Sequence, residues 1–168
     1  MRFAAALLAS LLASGVAAAA APAPPPPGPE LWRGALAGMN IDEVVAAVPS
    51  AVPFTGQTMD NGALAGLAAP AELDGSPADA VFFFRGRLLA AVLVESRRLP
   101  ARPDYLAKAA ALEAQMTSVY GQPLRCVKRP EIAADNCEWR YGALKVAVSY
   151  RDVGGGAPLL QVLYAPVR

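Results

Sequence analysis

The side chains with which this chain could do chemistry are carboxylates, serines and two cysteines, because histidine is absent. Without histidine, the commonest general base, the usual zinc ligand and the Ser-His-Asp triad are excluded. No serine lies in a G-x-S-x-G sequence, and none is followed by lysine at the third position, so two common serine-nucleophile patterns are missing as well. The sequence therefore predicts no catalytic residue and no enzyme activity.

Four carboxylates, Asp60, Glu72, Asp74 and Asp79, lie in a stretch rich in proline, glycine and alanine. A two-carboxylate hydrolase or a calcium site would use such residues. Their spacing fits no metal loop, and acidic residues in loops are ordinarily solvated. We therefore predict no metal site and no cofactor. A carboxylate-dependent hydrolase or glycan binder stays as an alternative function.

The cysteines Cys126 and Cys137 have ten residues between them. A redox pair normally has the closer C-x-x-C spacing, and no histidine is present to complete a zinc site. In an oxidising compartment an even number of cysteines usually pairs. The spacing therefore favours a structural disulfide, which would stabilise a small domain by about 2–3 kcal/mol.

The first twenty residues have the pattern of a secretory signal peptide. Arg2 precedes an apolar run, and the small residues Ala18 and Ala20 suit cleavage before Ala21. An uncleaved membrane anchor is the alternative, but alanine partitions weakly into lipid and prolines follow at once. We expect a periplasmic or secreted protein, soluble and without stable membrane insertion after cleavage.

The chain after the signal divides into a proline-rich linker, residues 21–30, and a single domain, residues 31–168. The linker composition predicts a stiff, extended polyproline segment. Without Arg2, fourteen basic residues balance fourteen acidic ones, and no basic stripe is present. Nucleic acid is therefore not an expected partner.

Two helices are predicted in the domain. Asn40 and Glu43 form a capping-box pattern at the start of the first, whose apolar residues fall on one face before Pro49 ends it. The second runs from Asp104 to Tyr120, where Gly121 follows.

Strands are predicted at 81–84 and 88–94, as a hairpin with Gly86 in the turn, and at 124–129, 136–141, 144–151 and 159–165. Residues 49–80 are interpreted as a loop, with a short strand near 67–73. The fold class is α+β, with two main helices packed on one antiparallel sheet of six to eight strands. Each half has a capped helix and a glycine-turn hairpin, which indicates either a duplicated helix-plus-hairpin unit or a chance recurrence.

Four aromatic residues form a possible binding surface. Phe82 and Phe83 lie in a strand that is apolar on both faces, and such a strand is either covered on both sides or presents one face to a partner. Trp139 and Tyr141 share one face of another strand, where they would be core residues or a platform for a sugar or peptide.

Three short segments resemble small exported bacterial envelope proteins. Residues 38–44 (GMNIDEV) are similar to the helix start of SmpA/OmlA-type lipoproteins, and residues 83–88 and 119–123 contain turns common in such domains. Proteins of the beta-lactamase-inhibitor-protein type share the architecture. The resemblance implies helices on one face of an antiparallel sheet and a role in holding other proteins. The chain lacks the lipidated cysteine of the lipoproteins.

These features predict a non-enzymatic periplasmic binding or accessory module that acts on another envelope protein through a sheet face or edge. An inhibitor of a secreted or periplasmic hydrolase, with a loop such as 55–80 as its wedge, is the first alternative.

Overall fold

The computed structural model describes residues 28–97, 102–129, 134–151 and 159–167. The predicted signal peptide and most of the proline-rich linker lie outside the described residues. The elements in chain order are β1 (Glu30–Trp32), β2 (Ala35–Leu36), α1 (Ile41–Ala47), β3 (Val52–Pro53), β4 (Leu64–Leu73), β5 (Ser76–Arg85), β6 (Leu88–Ser96), α2 (Arg102–Tyr120), β7 (Arg125–Arg129), β8 (Ala134–Tyr141), β9 (Leu144–Arg151) and β10 (Leu159–Pro166).

The main sheet has eight strands in the order β3-β4-β5-β6-β10-β9-β8-β7, and every neighbouring pair is antiparallel. Strands β1 and β2 form a separate two-stranded sheet. The fold is α+β, with two helices and a mainly antiparallel sheet, as predicted. Each half of the chain places one helix before a four-stranded meander, and the two meanders join through their last strands, β6 and β10.

The capping box at α1 is confirmed. The Asn40 side chain accepts a hydrogen bond from the Glu43 amide at 3.1 Å, and the Glu43 carboxylate accepts one from the Asn40 amide at 2.7 Å. Val44 and Val48 are buried, whereas Ile41 is 44% exposed. The helix ends at Ala47, just before the predicted stop.

Helix α2 packs on strands β8 and β9. Its buried residues Ala109, Leu112 and Met116 are spaced three and four apart, as one face of a helix requires. Gly121 follows in the left-handed region at φ 83°, which suits glycine after a helix end. Val119, in the last turn of the helix, is 58% exposed.

The interpretation of residues 49–80 as a loop is wrong over its second half. Strands β4 and β5 form a long hairpin there, with Asp74 and Gly75 in the turn at positive φ. Small apolar residues alternate inward along β4, and their weak strand propensity hides the pattern. Pro70 is tolerated because β3 pairs with β4 at residues 67 and 68, which leaves residues 69–73 of β4 as an edge.

One face of the sheet, called here the helix face, forms the principal core with both helices and the β1–β2 hairpin. Phe82, Trp139 and Leu160 are its largest fully buried side chains. The predicted disulfide is present, and Cys126 on β7 joins Cys137 on β8, directly opposite in register. It fastens the edge strand β7 to the sheet.

Candidate open-face binding site

The other face of the main sheet, called here the open face, is covered by no helix of the described chain. Over β4, β5 and β6 it carries a small second core, in which Phe83, Val81 and Ala91 pack with Ala63. The loop of residues 54–63 lies over this cluster and contributes Phe54 and Met59 to it. Leu93 of β6 and Leu163 and Ala165 of β10 pack against this cluster and are half-buried.

A single row of side chains crosses all eight strands on this face. The register pairs follow one another without a break from β3 to β7: Val52, Ala68, Val81, Leu93, Leu163, Ala147, Glu138 and Arg125. Six of the eight members are apolar, and they occupy six adjacent strands. Leu93, Leu163 and Ala147 are only half-buried. This set is called the apolar row.

A polar row runs parallel to it, two residues further along each strand. Its members are Asp79, Glu95, Gln161, Ser149 and Asn136, again consecutive register partners. Gln161 donates through Nε2 to the Glu95 carboxylate, and the Ser149 hydroxyl donates to Gln161 Oε1 at 3.5 Å. The open face is therefore amphipathic, with one apolar and one hydrogen-bonding band.

The loop of residues 54–63 separates two clefts on the open face. Asp60 lines a cleft of about 740 Å³ beside the polar row, and Met59 and Asn61 line one of about 730 Å³ beyond the apolar row. The side chain of Asn61 accepts a hydrogen bond from the Ala63 amide at 3.0 Å. The backbone carbonyl of Asn61 accepts one from the Arg85 guanidinium at 3.0 Å. These bonds hold the loop against the sheet.

Charged side chains surround the end of the apolar row that lies on β8 and β7. Glu138 forms ion pairs with Arg140 and Lys145 at 3.5 and 3.4 Å. Arg125 and Arg129 on β7 are exposed and line the cleft beside the polar row. A partner on this face would therefore meet apolar contacts at the centre, amide and hydroxyl groups beside them, and basic residues at the β7 rim.

The four aromatic residues of the predicted surface are not brought together. Phe82 on the helix face, Phe83 under the loop and Trp139 on the helix face are 0%, 2% and 1% exposed. Since a buried ring cannot touch a partner, these three line no surface in this structure. Tyr141 is 64% exposed and lies at the end of β8.

The four carboxylates named from the sequence also lie apart. Asp79 is paired with Arg97, and Asp74 in the β4–β5 turn is 3.7 Å from the ammonium of Lys108. Glu72 is exposed on β4. Asp60 lines the cleft beside the polar row. Among the described residues, no group of three histidine, cysteine, aspartate or glutamate side chains could hold a metal ion.

Sequence reasoning missed Leu93, Leu163 and Gln161. The signal for these residues was the alternation along β10. Leu163 and Gln161 fall between the inward residues, so the sequence places a leucine beside a glutamine on the outward face. The signal could not show that Leu93 lies opposite Leu163, because the two strands come from different halves of the chain.

Comparison with known proteins adds little to this picture. No family model matches the chain, and no curated protein is similar to it. Its fold is distantly similar to the crystal structure of a DUF4309 family protein, YjgB, from Bacillus subtilis, with a TM-score of 0.42 and 10% sequence identity over 76% of this chain and 78% of that one.

Proposed function

We propose that this chain is an exported, non-enzymatic module that binds another envelope protein through its open face. The observation that carries the proposal is the apolar row, which crosses every strand of the sheet on the side that no helix of the described residues covers. Contact between a partner and half-buried leucines at the centre of a sheet face is favourable, because it removes apolar surface from water.

The dimensions of the open face suit a protein partner. Eight strands at about 4.8 Å spacing span about 34 Å, and the loop of residues 54–63 covers the part over β4, β5 and β6. A partner would contact the remaining strands together with this loop, and a standard specific interface buries roughly 800 Å² per partner. The central apolar row, with the polar row and the charged β7 rim beside it, has the layout of an interface core and its surroundings.

The sheet edges are less suitable than the face. Strand β3 has only two residues, one of them Pro53, so it offers little backbone to a partner strand. Strand β7 has exposed arginine and lysine side chains, and its disulfide ties it to β8. Short, proline-containing or charged edge strands resist pairing with other chains.

An extracytoplasmic location fits the chain's features. A disulfide persists mainly outside the cytoplasm, and the first twenty residues match a secretory signal. Among the described residues, no helix is long and apolar enough to cross a membrane. We also propose that the two helix-plus-meander halves descend from a duplicated unit, because they join symmetrically through β6 and β10.

The proposal is tested by site-specific crosslinking. A photo-reactive amino acid at Leu163 should capture one envelope protein in near-stoichiometric yield, whereas the same group at Val119, exposed on α2, should not. The charged variant Leu93→Lys should abolish the Leu163 crosslink without lowering the yield of folded protein. Equal capture from both positions, or capture that survives Leu93→Lys in folded protein, contradicts the proposal.

A second candidate, inhibition of a secreted or periplasmic hydrolase, is favoured by the loop of residues 54–63. Its residues Thr55, Gly56, Thr58 and Asp60 are exposed, and it stands over the open face. An inhibitor would present such a loop to an active site. Replacing residues 55–61 by a short glycine linker should then abolish inhibition of the captured enzyme, and unchanged inhibition would exclude the loop.

A further inference from the structure

A third concave site lies away from the open face, between the β1–β2 hairpin and the ends of α2, β8 and β10. It has a volume of about 560 Å³. Four aromatic side chains line it, and they are called here the aromatic groove: Trp32, Tyr120, Tyr141 and Tyr164. Glu30 and Arg33 complete its rim.

The rings of the aromatic groove are held by contacts with their surroundings. Trp32 packs edge-on against the buried ring of Phe82, with 5.7 Å between centroids, and the Arg33 guanidinium lies 4.6 Å from the Trp32 centroid. Tyr120 and Tyr141 lie 5.9 Å apart. A ligand would therefore meet a preformed surface, which lowers the entropy lost on binding.

The tyrosine hydroxyls supply hydrogen-bond donors. Within the part of the chain that the structure describes, no hydrogen bond is made by the hydroxyl of Tyr120, Tyr141 or Tyr164. Burial, followed by the charge of Glu30, raises the pKa of Tyr120, and burial with the neighbouring Tyr120 raises the pKa of Tyr164 to about 12. Both hydroxyls therefore keep their protons at neutral pH.

Aromatic rings with nearby donors match a proline-rich peptide in the polyproline II conformation. Such a helix makes no internal hydrogen bonds, so its carbonyls need outside donors, and its prolyl rings pack between aromatic side chains. Glu30 and Arg33 balance one another in charge, which disfavours a strongly anionic ligand.

The chain itself has a segment of this kind. Residues 22–27 contain five prolines, four of them consecutive. The Gly28 amide donates to the Ala37 carbonyl at 3.1 Å, so the proline-rich segment joins the β1–β2 hairpin at the end away from Trp32. Strand β1 runs from that end towards Trp32, so a proline-rich segment of a second copy can approach the rings without any reversal of the chain at Gly28.

We propose that the aromatic groove binds residues 22–27 of a second copy of this chain. Six residues in polyproline II conformation would span about 19 Å. Reciprocal exchange of two such segments gives a two-fold dimer with identical contacts on both sides. This site is separate from the open face and goes beyond the function proposed above.

The first test is calorimetric titration of the protein, purified after export from cells expressing the full gene, with a synthetic peptide of residues 21–29. We expect micromolar to millimolar binding that weakens at least tenfold in Tyr141→Ala. Val119→Ala, another exposed position near the end of α2, is the matched control and should bind like the parent. Absence of binding, equal binding by Tyr141→Ala, or binding of an oligosaccharide in place of the peptide overturns the proposal.

The second test is sedimentation equilibrium over a wide concentration range. The parent protein should dimerise, and replacing Pro24–Pro27 by a Gly-Ser-Gly-Ser sequence of equal length should raise the dimer dissociation constant at least tenfold. A parent that binds the peptide but stays monomeric at millimolar concentration overturns the assignment of the occupant. Leu93→Lys should leave both results unchanged, which separates this proposal from the open-face function.

Discussion

Leu93 and Leu163 lie directly opposite each other in the main sheet, at the seam where β6 of the first half pairs with β10 of the second. Both side chains point to the open face and both are half-buried. They form the centre of the apolar row, so they are the residues whose exposure to a partner matters most.

Strand β10 allows a direct comparison of its two faces. Leu160 is fully buried on the helix face, whereas Leu163 is half-buried on the open face. Leu160→Ala should destabilise the protein by about 2–5 kcal/mol, because it leaves a cavity in the core. Leu163→Ala should lower stability by only about 1 kcal/mol, because less buried area is lost. Urea unfolding measures both, and equal losses would show that the open face is as well covered as the core.

Trp139 is predicted to tolerate loss of its indole nitrogen but not of its volume. The side chain is 1% exposed, and its Nε1 has no hydrogen-bond partner in the described residues. Trp139→Phe should change stability by about 1 kcal/mol or less, since it also removes an unsatisfied buried donor. Trp139→Ala should lower stability by about 3–5 kcal/mol. Chemical denaturation distinguishes the two, and a large loss in Trp139→Phe would reveal a hidden partner for Nε1.

The capping box of α1 should contribute measurably to stability. Asn40→Ala removes the acceptor for the Glu43 amide and should lower the free energy of unfolding by about 1 kcal/mol. Asn40→Ser keeps a capping oxygen and serves as the control. The melting temperatures of both variants give the answer, and a melting temperature for Asn40→Ala equal to that of the parent would mean that α1 is held by Val44 and Val48 alone.

Stability should fall in alkaline solution because of Tyr164. Burial raises the pKa of Tyr164 to about 12 in the folded protein, against about 10 in an unfolded chain. Stability is complete below pH 10 and decreases towards pH 12, because the unfolded state then releases the proton first. The loss reaches about 2–3 kcal/mol for this residue. Tyr164→Phe should flatten the decrease in unfolding free energy between pH 10 and pH 12, and an unchanged slope would place its cause elsewhere.

Removing the disulfide should weaken the β7 edge. A Cys126→Ser, Cys137→Ser double variant should lose about 2–3 kcal/mol, as expected for a short closed loop. Native-state hydrogen exchange should show the largest loss of protection in β7, whose other connection to the sheet is its pairing with β8. Uniform loss across all strands would mean that β7 does not open separately.

The sequence was sufficient for the elements whose patterns are local. The alternation around Val146 and Val148 located β9, and the Asn40–Glu43 spacing located the start of α1. The full length of β4 was not predicted because alanine and proline are poor strand formers. They occupy positions that only the tertiary fold makes suitable for a strand.

The open-face site depends on strand register, which a single sequence does not specify between distant strands. The pairing of Leu93 with Leu163 follows from the junction of two meanders, and no local pattern records it. The apolar pattern of β5 predicts either that Phe82 and Phe83 are covered on both sides of the strand or that one of them faces a partner. Only the structure shows that the second cover is the chain's own loop rather than a partner.

The seam between β6 and β10 also affects how the chain reaches its fold. Every other pairing in the main sheet joins strands adjacent in sequence, so each meander can assemble from local contacts. The pairing of β6 with β10 forms only after the last strand has been synthesised. During synthesis β6, with the sequence LLAAVLVES, is therefore a temporary apolar edge that can recruit the wrong strand. Aggregation of nascent chains, and exchange of β10 between molecules, are the errors to which this architecture is most exposed.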